Sequence, residues 1–176
     1  MCRMCEGFSL DDVLALDAAS IAEYGFTIIA VGPPVDSHDK SGTWAYTVGL
    51  LDAADHPELI VTGVSTEAAG MVSRALADEV LAGEQYCVGD TIRTPRGVAR
   101  VGPVHEIQYG LETLNMWHNL RRYGTLRTAE LEAVQIVLPS AFFCSVHRHA
   151  QPVLGDPTAR VGRHERPPNR AERRRH

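Results

Sequence analysis

The sequence predicts an α+β domain, a mostly antiparallel sheet with about three helices. Three observations carry that prediction. Apolar residues recur at helical spacing in three separated windows, short β-rich runs come in groups instead of alternating one by one with helices, and no internal repeat is visible. With 176 residues, 44% of them apolar, the chain is long enough for one compact core. The expected organisation is a single domain over residues 1–150 and a Pro/Arg-rich flexible C-terminal tail over 151–176.

The elements follow in order. Ser9-Leu10-Asp11-Asp12 reads as a capping box, Val13, Leu14, Ala18, Ile21 and Ala22 as an apolar stripe, and Gly25 as a left-handed stop, which predicts a helix over 10–24. Phe26 to Val31 is a short β-branched run and predicts a strand closed by Gly32-Pro33-Pro34. Asp36 to Gly42 reads as a loop, Thr43 to Leu50 as a second strand, Asp52 to Pro57 as a turn and Glu58 to Val64 as a third strand. Ser65 or Thr66 caps a second helix with Ala69, Val72, Leu76, Val80 and Leu81 as its buried stripe. Thr91 to Val101 predicts a hairpin about Thr94-Pro95-Arg96-Gly97, and Val104 to Gln108 a further strand. A third helix over Leu111 to Arg122 and a last strand over Leu131 to Leu138 complete the order.

No run of about 18 apolar residues occurs, so no membrane span is expected. The start, Met1-Cys2-Arg3-Met4-Cys5-Glu6, lacks an apolar segment of the kind that a secretory signal carries, so a cytoplasmic protein is expected. In a reducing compartment four cysteines point to metal or redox chemistry before disulfides. The formal charge of −5 is unevenly spread. From Arg160 to His176 seven arginines face Glu165 and Glu172, a local balance of +5, which leaves −10 on residues 1–159. So acidic a body is not a general nucleic-acid surface, whereas residues 160–176 could contact nucleic acid or the ribosome.

Several of these stretches resemble one family. Met-Cys-x-x-Cys at the start, Glu23-Tyr24-Gly25-Phe26, Ala45-Tyr46-Thr47-Val48-Gly49-Leu50 and His56-Pro57-Glu58-Leu59-Ile60-Val61 are similar to the bacterial family of the domain of unknown function 4262. The Ala68 to Gly83 helix, Gly89-Asp90, Tyr123-Gly124 and Ala133-Val134-Gln135-Ile136-Val137-Leu138-Pro139 extend the resemblance over roughly residues 1–140. It implies no activity. The family's aromatic, Pro-Trp-Asp-like ending is replaced here by Ser140 to His149, so the Cys144-x-x-His147 pair belongs to this chain or its subgroup.

The sharpest constellation joins the chain's ends. Cys2 and Cys5, with Cys144 and His147, form two pairs with two-residue gaps and together supply the Cys₃His set that tetrahedral zinc favours; His149 is an alternate ligand. Four protein ligands would leave no open position, so the zinc would staple or sense and not catalyse. The leading expectation is therefore a binding or regulatory module with a zinc-stapled terminus. The competing reading of the same residues is a free terminal cysteine pair and a Cys144 that only fills space.

A hydrolase or transferase working through a metal-bound water or through Cys2 is the enzyme alternative, with His56, Glu58 and Tyr46 as candidate acid-base groups. Against it stands a structural reading, in which His56 shapes the turn, Pro57 starts the strand and Tyr46 is a half-buried sheet residue, with a fold-specific hydrogen-bond network as their content. Neither Gly-x-Gly-x-x-Gly nor a Walker sequence occurs, so no nucleotide loop is indicated.

Overall fold

The computed structural model describes residues 7–32, 43–143 and 151–159. It is an α+β fold built on one mixed sheet of six strands in the order β1-β2-β3-β6-β5-β4. The strands are β1 (Thr27–Val31), β2 (Trp44–Val48), β3 (Glu58–Thr62), β4 (Thr91–Thr94), β5 (Gly97–Pro103) and β6 (Ala133–Val137), and the helices are α1 (Leu10–Tyr24), α2 (Leu50–Ala54), α3 (Thr66–Leu81) and α4 (Leu111–Tyr123).

Every neighbouring pair is antiparallel except β3 and β6, which run parallel at the centre, Glu58 beside Ala133 through Val61 beside Ile136. The expectation of a mostly antiparallel sheet is thus met, with one parallel pair that local pattern could not reveal. Parallel neighbours need a long crossover, and here the whole stretch from α3 to α4 supplies it.

Both faces of the central strands are covered. Helix α3 packs on β1, β2 and β3 from one side, while α1 and α4 lie together on the other, against β1 and β2. Side chains alternate accordingly. Ala45, Leu59, Val61, Val134 and Ile136 enter the α3-side core, whereas Trp44, Tyr46, Val48, Ile60 and Ala133 enter the core beneath α1 and α4. Covering on both faces explains why β2 and β3 read as continuous apolar runs and not as alternating ones.

The local signals hold well in α1. Ser9 accepts the Asp12 amide and the Asp12 carboxylate reaches back to the Ser9 amide, a complete capping box, and Gly25 ends the helix in the left-handed region at φ 83°. Ser65 caps α3 through the Ala68 amide, and the hairpin β4–β5 turns at Thr94-Pro95-Arg96-Gly97 as its sequence predicts.

Two elements differ from prediction. Leu50–Ala54, read as strand end and turn, is the short helix α2. Val104 to Gln108 is not a strand: the His105 side chain accepts the Ile107 amide and starts a 3₁₀ turn, Glu106–Tyr109. Residues 151–159, assigned by sequence to the flexible tail, are instead docked on the sheet. Leu154 is fully buried, and its backbone bonds Gln135 and His105. An apolar plug and paired backbone groups hold a stretch that has no secondary structure of its own.

Candidate functional site

Two regions bear on the residues singled out by sequence. The first lies where β2 and β3 diverge. Glu58 opens β3, is 1% exposed, and collects donors with both carboxylate oxygens. The Thr47 hydroxyl donates to Oε2 at 2.7 Å, the Gly49 amide to Oε1 at 2.7 Å and the Leu50 amide to Oε2 at 3.4 Å. The Thr47 hydroxyl in turn accepts the Leu59 amide at 2.8 Å. Side chains thereby close the ladder where the strands separate, and the same carboxylate satisfies the first amide groups of α2.

Gly49 is required at that corner. Its φ is 121°, and a Cβ there would lie 2.6 Å from the Gly25 carbonyl oxygen. The stop of α1, the end of β2 and the start of β3 therefore meet in one node. Burial drives the Glu58 carboxyl up from its ordinary 4.5 to about 7, although the hydrogen bonds from Thr47, Gly49 and Leu50 pull the other way.

His56 and Tyr46 belong to other networks. His56 is wholly buried; its Nδ1 donates to the Pro57 carbonyl at 2.6 Å and its Nε2 accepts the Tyr86 amide at 3.0 Å. Those partners fix the neutral tautomer with the proton on Nδ1. Burial lowers the ring's pKa below its ordinary value, opposed by the Pro57 hydrogen bond. The Tyr46 hydroxyl points beneath α4, donating to Asn115 Oδ1 at 3.2 Å and accepting the Met116 amide at 3.1 Å. Burial raises its pKa well above the usual phenol value. The three candidate acid-base groups thus sit near one another in sequence and strand order, but no hydrogen bond joins any two of them. Each is spent on a different internal partner.

Asp52, Gln135 and Gln151 carry networks that sequence reasoning passed over. Asp52 of α2 accepts the Arg127 amide at 2.6 Å and the Thr128 amide at 2.8 Å, as well as the Thr128 hydroxyl. Burial pushes its carboxyl upward, but these bonds outweigh it and hold the group below the ordinary carboxylate range. Gln135 donates to the Thr62 hydroxyl at 2.9 Å and the Pro152 carbonyl at 2.6 Å, and accepts the Leu154 amide at 2.7 Å. Gln151 continues the β6 ladder by bonding the Leu138 amide and the Ile136 carbonyl. A Gln inside the apolar run Ala133 to Leu138 was the available signal, since a buried amide must find partners.

The second region is the opposite end of the sheet, centred on Gly63. Its amide donates to the Thr43 carbonyl at 2.8 Å, and a Cβ on it would meet Gln151 Cα, Phe143 and Pro152 at 3.3–3.4 Å. The residues that border segments 33–42 and 144–150 therefore meet at one point, just past the carboxyl end of β3. Helix α1 meets the sheet at the start of β1. Only Gly25 and Phe26 separate it from β1, and Asp17 in mid-helix accepts the Thr27 hydroxyl at the start of that strand.

The proposed zinc ligands Cys2, Cys5, Cys144, His147 and His149 lie outside the described residues, as does the arginine-rich stretch 160–176. Among the described residues no group of three or more His, Cys, Asp and Glu side chains is arranged to hold a metal ion, and Cys87 is a free, exposed thiol. No helix among them is long and apolar enough to cross a membrane.

Fold and site together define an α+β protein with a six-stranded mixed sheet and an internally satisfied polar node. The chain belongs to the family of the domain of unknown function DUF4262, whose model matches residues 20–141. That span contains His56 and the node of Gly25, Thr47, Gly49 and Glu58, and stops short of both cysteine pairs. No curated protein and no solved structure matches the chain.

Proposed function

We propose that the protein is a binding or regulatory module whose N-terminal and C-terminal segments are stapled by a zinc ion at the Gly63 end of the sheet. Cys2, Cys5, Cys144 and His147 are the ligands, with His149 the alternate to His147. The observation that supports it is the geometry of the borders: Thr43, Phe143 and Gln151, which border the segments 33–42 and 144–150, meet at Gly63. A thiolate-rich set with two-residue gaps suits zinc, and four protein ligands leave no site for a reacting water.

The burial and internal pairing of His56, Glu58 and Tyr46 weigh against the hydrolase alternative. A substrate would have to displace the Tyr86 amide, the Gly49 amide or the Met116 amide to reach them.

Elemental analysis of protein purified without chelators tests the reading, together with a Cys2→Ser/Cys5→Ser variant. One zinc per chain is expected in the wild type. The variant should lose the metal and melt lower, because ligation that exists only in the folded state adds directly to stability. Metal-free wild type, or a variant that melts like it, sinks the proposal.

A further inference from the structure

The two edges of the sheet are built differently. At one, β4 is four residues long and carries Arg93, both of which hinder pairing by another chain. At the other, β1 is Thr27-Ile28-Ile29-Ala30-Val31, with no charge, no proline and no bulge in its register with β2. Among the described residues its outer side pairs with no strand. A free row of backbone donors and acceptors between β-branched side chains is a template for a further strand.

Helix α3 indicates what that strand belongs to. A Cβ on Gly32 would stand 3.1 Å from the Thr66 methyl, and the Arg74 guanidinium lies 5.0 Å from the Phe26 ring centre. The helix therefore runs opposite to β1, with Thr66 beside the strand's end and Arg74 beside its start. Gly70 and Met71 fall level with its middle. Glu67, Met71, Arg74 and Asp78 are all exposed and recur at helical spacing, so they form one stripe. Arg74, held over the rings of Tyr24 and Phe26, puts that stripe on the β1 side.

Three features of the stripe have no use inside the chain. Met71 is 63% exposed, the barest large apolar side chain of the described residues. Gly70 weakens a helix interior relative to alanine, yet no atom of the described residues lies within 4 Å of where its Cβ would stand. Glu67 has no ion-pair partner among the described residues, whereas Arg74 is fixed by Asp78 at 3.3 Å.

We propose that β1 is the interface of a symmetric homodimer, in which the β1 strands of two copies pair antiparallel about a two-fold axis at Ile29 and continue the sheet. Ile28 then lies opposite the partner's Ala30, and Thr27 opposite the partner's Val31, with no charge on either strand to oppose the pairing. The same axis turns Gly70 and Met71 of each helix toward the other copy and sets Glu67 against the partner's Arg74. That charge complementarity selects a second copy over an unrelated extended peptide, because one operation satisfies strand and helix together. The interface uses none of the zinc ligands, so it stands or falls separately from the zinc staple.

The test is sedimentation equilibrium of the full chain with a reductant present, so that the exposed Cys87 thiol links no chains. Wild type and Cys2→Ser/Cys5→Ser should both approach twice the 19.2 kDa chain mass as concentration rises. Ala30→Lys, at an exposed position of the edge, should weaken the dimer at least about tenfold. Glu67→Arg should weaken it about tenfold as well, since it opposes arginine to arginine twice across the axis. Glu67→Arg/Arg74→Glu restores opposite charges and should regain most of the wild-type association, which a merely damaged fold could not do. A wild type that stays at the mass of one chain, a dimer indifferent to Ala30→Lys, or a double variant no tighter than Glu67→Arg would overturn the proposal. So would association that disappears with Cys2 and Cys5, which would place the contact at the metal.

Discussion

Replacing Glu58 by Gln should change how stability depends on pH more than it changes stability itself. Glu58 is buried at the junction of β2, β3 and α2, and burial lifts its carboxyl from 4.5 to about 7. A carboxyl whose folded pKa lies above its unfolded value binds protons more tightly in the folded state. Its contribution is complete below the unfolded value and is lost as pH rises through the folded one. Between pH 5 and 8 the wild type should therefore lose about 2–3 kcal/mol from this group, a fall of roughly a hundredfold in its folding constant. Glu58→Gln is nearly isosteric and cannot titrate.

The assay is urea unfolding of both proteins at half-unit steps of pH, comparing the difference between them so that other groups cancel. The account predicts that wild type loses ground to the variant as pH rises through 7. A difference that stays flat would mean that Glu58 does not titrate in this range. A difference of opposite sign would mean that the donors from Thr47, Gly49 and Leu50 outweigh burial and the carboxylate is the folded form. His56 and Asp52, whose pKa values are both lowered, act in the other direction: each contributes stability at higher pH and loses it in acid. Their presence in both proteins is why the difference, and not the raw profile, is diagnostic.

Two further outcomes follow from single contacts. Gly49→Ala should destabilise by at least about 2 kcal/mol, because its Cβ would press on the Gly25 carbonyl at a backbone angle that side chains avoid; a denaturation midpoint equal to wild type would refute that placement. Gln135→Leu should cost about 1–3 kcal/mol by stranding the Leu154 amide, while the Pro152 carbonyl keeps the Thr62 hydroxyl as donor. The same change should expose residues 151–159 to amide exchange and protease, whereas unchanged protection of Leu154 would show that the segment is held by other contacts.

How much of this could be read from the sequence depends on how local the cause is. Helix α1 was legible end to end because Ser9, Asp12 and Gly25 state its limits within a few residues of themselves. The β4–β5 hairpin was legible for the same reason. Helix α2 was not, since five residues hold barely more than one turn and Leu50-Leu51 looks like the end of a strand. The 3₁₀ turn at Glu106 depends on one His105 side chain, which apolar patterning does not weigh. The parallel pairing of β3 with β6 and the docking of residues 151–159 join parts of the chain that are remote in sequence.

The site shows the same division. A hydrogen-bond network was readable from Tyr46 and Glu58 on neighbouring strands, but Thr47 as the partner of Glu58 was not. Only the fold separates Tyr46, which turns beneath α4, from His56, which turns to Tyr86.

The zinc staple is tested most directly by X-ray absorption at the zinc edge on the purified full-length chain. The account predicts a first shell of three sulfurs at about 2.3 Å and one nitrogen at about 2.0 Å. An absent edge, or a shell of oxygen scatterers alone, contradicts it.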